Sequence, residues 1–352
     1  MIFDPILDFF RGKAVTIPPM DGAFRPNTEL DDAALLCDLA EADNLAILNG
    51  DIIATSGNAI YVINPDKTPE LLKNFEAPIT ALAVSPEGQL AVALETGQLL
   101  IEGEPIHLLE EIRAITALAY SYNGALWLAN GSSEHTCSDW AADLMNKRAT
   151  GSLWVRHQPS EAFHKMADNL AYPSGLCPLS GGRVVFSESW RHRLMQIDAD
   201  KNISLLIDHI PGYPARLSPT ADGGAILSVF APRNRLIEFV LQETHYRYDM
   251  MATVPREYWI APALSSGRSF LEPLQCGSIR TMGVHKAWSP ARSYGLVVRL
   301  GANMNPLTSM HSRANGTRHG VCSAIEHEGR LIIASKGGDC LIEIADTNAK
   351  GH

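Results

Sequence analysis

The chain has 352 residues, 46% of them hydrophobic and 19% charged, enough apolar matter for a large core and too even a mixture for long disordered segments. Its 29 Lys plus Arg against 39 Asp plus Glu leave a net charge of -10 with no basic stripe, which argues against nucleic acid as a partner. No apolar run approaches the roughly 20 residues that span a bilayer. The opening MIFDPILDFFRGK lacks the order of a secretion signal, and the six cysteines are scattered without a CxxC pair, so a soluble cytoplasmic protein with reduced thiols is expected.

Residues 1–40 carry Pro5, Pro18, Pro19 and Pro26, which break up any long helix. They read as an arm across the fold, with a turn of helix near Leu30 to Leu39, and residues 41–352 as a single domain. From Ala46, AILNG, DIIATS and AIYVIN read as three short strands. ITALAVSPEGQLAVALETGQLLIEG and ITALAYSYNGALWLANGSS then repeat one design, with Thr80 eight residues before Gly88 and Thr116 eight before Gly124. YPSGLCPLSGGRVVFSESWRHRLMQID and PGYPARLSPTADGGAILSVF keep the interval, setting Ser174 before Gly182 and Arg216 before Gly224.

RHGVCSAIEHEGRLIIASKGGDCLIEIAD is a fifth copy, turning at Gly329; eight residues back lies Val321, beside Cys322. The turn glycines are 36, 58, 42 and 105 residues apart. The last gap is expected to hold a further unit, with strands from SYGLVVRLGANMNPLTSMHS, and an insertion at about 233–290. There RNRLIEFVLQETHYRYDMM places apolar residues near helical spacing. Repeats of several short strands predict an all-β fold, a six-bladed β-propeller whose partly helical insertion caps one end of the channel.

In a propeller the innermost strands run along the channel, so Thr80, Thr116, Ser174 and Arg216 are expected to ring one mouth. Asn130, Glu188, Phe230 and Ser335, each six residues after its turn glycine, would lie just outside. The ring suits no hard cation, because calcium wants six to eight oxygens and Arg216 supplies a fixed positive charge. No metal or cofactor is expected, and a carboxylate, lactone or other oxygen-rich small molecule fits better.

Each candidate has two readings. Arg216 contacts the ligand or pairs with Glu188; Glu188 is a general acid or base, or the anchor of Arg191 or Arg193. Cys322 with nearby His319 is a nucleophile and base, or a buried thiol. The segment SMHSRANGTRHG, with His311, Arg313 and His319, is a pocket wall or a solvated loop. His192 and Tyr213 complete the candidate substrate-binding set with Thr116, Asn130 and Ser174.

GLCPLSGGRVVFSESWRHRLMQID, followed by PGYPARL and FAPRNRLIEFV, resembles the strictosidine synthase-like branch of the six-bladed propellers, which includes gluconolactonase, senescence-marker protein and paraoxonase relatives. The resemblance runs from about residue 120 to 346 and implies a pocket over the central channel. Its hydrolytic relatives open lactones or esters with a channel calcium; its plant namesake joins an amine to an aldehyde with a glutamate. Where the calcium-dependent relatives place asparagine and aspartate, this chain has Ser174 and Ala215-Arg216, and the namesake's glutamate falls near Val321 or Cys322.

The expected function is a small-molecule hydrolase acting on a lactone, ester or related metabolite without a channel calcium. Glu188 and Arg216 are its catalytic candidates. The alternatives are a catalytically inert propeller that binds a small molecule or protein, and a non-hydrolytic condensation or isomerisation.

Overall fold

The computed structural model describes residues 17–267, 280–281, 284–285 and 292–345. Six four-stranded antiparallel sheets form the blades of a six-bladed β-propeller. Their inner strands are Ala42–Leu48, Ile79–Val84, Ile115–Tyr120, Pro173–Pro178, Gly212–Pro219 and Val321–His327, taken as blades 1 to 6, and neighbours in this order pack against one another around the ring.

The strands form where they do because short runs rich in Val, Ile, Leu and Ala end in tight turns. At Gly88 (φ +85°) and Gly124 (φ +81°) the turn takes a left-handed backbone that few other residues accept. The runs are continuously apolar because each blade is covered on both faces. Ile52 packs toward blade 6 and its neighbour Ile53 toward blade 2; Val184 packs toward blade 3 and Val185 toward blade 5. Six apolar clusters thus fill the six gaps between blades.

Two features correct the sequence reading. The sixth unit is not built from residues 293–312: the strands Gly295–Leu300 and Pro306–Ser312 are the third and fourth of blade 5, and the opening stretch supplies a complete blade 1. The insertion therefore interrupts a blade between its second and third strands, which is why the gap of 105 residues resembles an extra repeat. Nor do residues 34–38 belong to an arm across the fold. After a short helix, Glu29–Asp32, the strand Ala34–Asp38 pairs with Cys340–Ala345 and completes blade 6, closing the ring with both ends of the chain.

The insertion begins with two helices, Arg235–Gln242 and Thr244–Thr253, the first capped by the Asn234 side chain accepting from the Leu236 N–H at 2.8 Å. Ile237, Val240, Leu241, Met250 and Trp259 pack on the helix Trp140–Asn146, which leaves blade 3, to form a seventh apolar cluster. Further along, the chain holds a hairpin of Arg280–Thr281 and Val284–His285. Residues 268–279, 282–283 and 286–290 of the expected cap lie outside the described residues. Among those described, no helix is long and apolar enough to cross a membrane, and the five cysteines are free.

Candidate functional site

Each inner strand breaks register with the second strand of its blade at one equivalent place. The residues set out of register are Asp43 and Asn44 in blade 1, Thr80, Thr116 and Ser174 in blades 2 to 4, Ala215 and Arg216 in blade 5, and Cys322 in blade 6. A bulge re-aims the side chain it carries. Here Asp43, Thr80, Thr116, Ser174, Arg216 and Cys322 all line one cavity of about 280 Å³.

Arg216 is its floor. From blade 5 it donates to the Asp43 carboxylate, to the Cys322 carbonyl at 3.4 Å and to the Thr80 carbonyl at 2.8 Å. Lys336 Nζ donates to the other Asp43 oxygen at 2.6 Å, so two cations share one carboxylate. Burial alone would raise the Asp43 pKa, but the charges and hydrogen bonds of Arg216 and Lys336 outweigh it and hold the group below its ordinary value. Asp43 in turn raises Lys336 against the opposing effect of burial, so its ammonium is kept. Arg216 also lines a second cavity of about 330 Å³, walled by Leu82, Leu118, Leu176 and Ile325 further along the inner strands. The side chain is a partition across the channel.

The cavity has two unlike halves. Blades 6, 1 and 2 contribute Lys336, Asp43 and Glu95, whose Oε1 accepts the Ser138 N–H at 2.9 Å. Blades 3 to 5 and their connections contribute Trp140, Tyr172, Trp190 and Phe230. Tyr172 and Trp190 stack with centroids 4.5 Å apart, and Trp140 meets Phe230 edge-on at 5.6 Å. Asp143 on the helix below holds the Trp190 indole N–H at 2.7 Å. Tyr172 sits at φ +58°, an uncommon conformation for a bulky residue, and carries its ring into this wall. Leu264 of the insertion closes the rim. Its carbonyl packs so tightly on Gly337 that an added Cβ would lie 1.9 Å away, which fixes glycine beside Lys336.

The sequence candidates divide. Arg216, Ser174, Thr116 and Cys322 line the cavity, but the two hydroxyls are spent as staples between blades: Thr116 donates to the Pro173 carbonyl at 2.5 Å and Ser174 to the Pro214 carbonyl at 3.1 Å. The Cys322 thiol is pushed up to about 12, chiefly by burial. His319 cannot serve it as a base, since its ring is engaged by Ser293 at 2.8 Å and the Arg313 carbonyl at 2.8 Å.

Glu188 is an anchor and does not line the cavity. It is fully buried, bonded to Arg191 at 2.5 Å and Arg193 at 2.6 Å, and accepts the Ala171 N–H at 2.7 Å. Asn130 does the same in blade 3, accepting from the N–H groups of Arg113 and Ala114, and Ser335 in blade 6 donates to the His319 carbonyl at 2.8 Å. These positions secure the chain as it enters each inner strand. Their counterpart Phe230 alone faces the cavity.

His192, Tyr213, His311, Arg313 and His319 are likewise absent from the cavity lining. His192 bonds the Gly212 carbonyl at 2.9 Å and lies 3.5 Å from Glu238, tying blade 4 to the insertion. Tyr213 is buried beneath Trp190 and Phe230. His311 sits in the outer strand of blade 5 between Tyr294 and Ser309, far along the blade from its inner strand.

Sequence reasoning missed Asp43, Glu95 and Lys336. Counting eight back from Gly50 gives Ala42, beside Asp43, just as Gly329 gives Val321 beside Cys322. The position seven after the turn glycine gives Glu95, Ser189 and Lys336, all in the cavity wall.

No protein-family model matches the chain, and no curated protein matches it significantly. Solved structures do. A gluconolactonase from Xanthomonas campestris aligns over 94% of this chain and 97% of its own, with a TM-score of 0.55 and 14% identity. The calcium-binding protein regucalcin from Agrobacterium tumefaciens covers 86% and 84% with a TM-score of 0.51 at 12% identity, and a luciferin-regenerating enzyme 87% and 88% with 0.54 at 12%. At this identity the likeness shows the fold alone, a six-bladed β-propeller.

Proposed function

We propose that the chain is a small-molecule hydrolase that opens a lactone or ester in the channel-mouth cavity. The observation that carries this reading is the Arg216–Asp43–Lys336 cluster facing a cavity whose other half is aromatic. The likeness to a gluconolactonase fold supports it as analogy.

The donor set does not suit calcium. The two carboxylates in the wall are Asp43 and Glu95, and both oxygens of Asp43 are taken by cations. Among the described residues no group of three or more His, Cys, Asp or Glu could hold a metal. The positive charge is supplied by the ammonium and guanidinium instead.

In this reading water attacks the acyl carbon and Glu95, in place of Glu188, takes its proton. Lys336 and Arg216 hold the oxyanion; the acyl C–O bond then breaks and Glu95 returns the proton to the leaving oxygen, giving a hydroxy acid from a lactone or an acid and an alcohol from an ester. A panel of lactones and esters assayed with wild type, Lys336→Met and Glu95→Gln tests it. Turnover in wild type, reduced about 100-fold or more in either variant, is the expected result; no turnover of any member sinks the reading.

One observation favours an inert binder as the second reading. The Thr116 and Ser174 hydroxyls of the wall donate to carbonyls, and burial keeps the Cys137 and Cys322 thiols protonated, so none of these four groups is an activated nucleophile. Binding without turnover in the same panel would select it.

A further inference from the structure

The cavity combines two recognition elements that rarely serve one small polar molecule. Lys336 Nζ makes its one described hydrogen bond to Asp43, which leaves two of its donors for a ligand. Asp43 is shared by Lys336 and Arg216, so this cluster carries one net positive charge. The remaining charged group in the wall, Glu95, holds the Ser138 amide with one oxygen and keeps the other for the reacting water. Opposite stand two indoles, a phenol ring and a phenyl ring, of which Trp140, Trp190 and Phe230 are only partly buried and line the cavity. This wall offers far more aromatic surface than hydrogen-bonding groups. A flat ring would cover it, with offset or edge contacts that add to simple burial.

Resting on the site of the proposed hydrolase, we infer that its ligands carry a flat unsaturated ring at one end and a carboxyl group at the other. The substrate is the lactone or ester of such an acid, and the product carboxylate sits on Lys336 with the ring against Trp140 and Trp190. The acyl oxygen and the product anion then use the same cation, and the ring fixes which carbonyl reaches it.

The test uses product-like probes, so it does not depend on turnover. Binding of 3-phenylpropanoate, 3-cyclohexylpropanoate and 3-phenylpropanamide, and of the phenylacetate set one carbon shorter, is followed by tryptophan fluorescence and calorimetry on the full chain. The aryl carboxylate is expected to bind about tenfold tighter than its saturated counterpart and about tenfold tighter than its amide. Lys336→Met should erase the preference over the amide, with a circular-dichroism melt like that of wild type showing that the variant is folded. Equal binding of the cyclohexyl acid overturns the ring, and equal binding of the amide overturns the anion site. Aryl carboxylate binding with no turnover of any lactone would sink the hydrolase reading alone. Lactone turnover with all probes equivalent would sink the ligand class alone.

Discussion

Arg216 reaches from blade 5 across the channel axis and donates to the carbonyl of Thr80 in blade 2 at 2.8 Å. Blades 5 and 2 face each other in a ring of six, so one side chain braces the propeller across its diameter and separates two cavities. Arg216→Ala should merge them and remove one cation from Asp43, while Lys336 still holds the carboxylate. The expected loss is about 2–3 kcal/mol in urea unfolding, below that of a buried charge left without any partner. Arg216→Lys should not restore stability, because an ammonium cannot reach Asp43 and two carbonyls with a rigid fork. A melt unchanged in Arg216→Ala would contradict the brace.

Glu188 makes the opposite prediction from the one its sequence position suggests. Its carboxylate is inaccessible, satisfies two arginines and ties the chain leaving blade 3 to blade 4. Glu188→Gln should cost about 2–4 kcal/mol, since two guanidinium groups lose their counter-charge. Ligand binding per folded molecule should match wild type. A variant as stable as wild type but unable to bind the aryl carboxylate would return Glu188 to the site.

The repeat was legible because both faces of each blade are buried, which forces apolar runs and tight glycine turns into the sequence at a fixed interval. That interval also found Thr116, Ser174 and Arg216, since the same bulge recurs at the same distance from each turn. It could not say which hydroxyls point to a ligand and which to the neighbouring blade, because Thr116 and Ser174 sit one interaction from either fate. Lys336 and Asp43 are 293 residues apart and meet only when the ring closes. The closure itself was hidden because Ala34–Asp38 is too short to distinguish from a turn of helix by periodicity.

That closing strand is a point of attack. Leu36, Cys37 and Leu39 are buried in the cluster between blades 6 and 1, and Leu35, Cys37 and Asp38 pair with Ile342, Leu341 and Cys340. Removing residues 1–38 should expose both that cluster and the edge of Cys340–Ala345. The shortened chain is expected to melt well below the full chain and to aggregate. Leu36→Asp, which places a charge in the buried cluster between blades 6 and 1, should act in the same direction with a smaller loss. Scattering and thermal melts on the three proteins would decide it; a shortened chain with the full chain's melting behaviour would show that blade 6 closes without this strand.

His311 gives the fold a measurable acid limb. The ring is buried between Tyr294 Oη at 3.2 Å and Ser309 Oγ at 2.7 Å, and burial pushes its pKa down to about 4. In the unfolded chain the group titrates near its ordinary value of 6.5. Between these values the unfolded state binds a proton that the folded state refuses. The stability contributed by the neutral ring is therefore fully present above about pH 6.5 and lost as pH falls towards about 4. At about 1.4 kcal/mol per unit, wild type should lose about 2–3 kcal/mol over that range beyond what His311→Asn loses. Urea unfolding of both proteins at pH 7 and pH 4 gives the difference, and an imidazole titration by NMR gives the folded pKa directly. A His311 resonance titrating near 6.5, with parallel stability curves, would show that the ring accepts its proton in place.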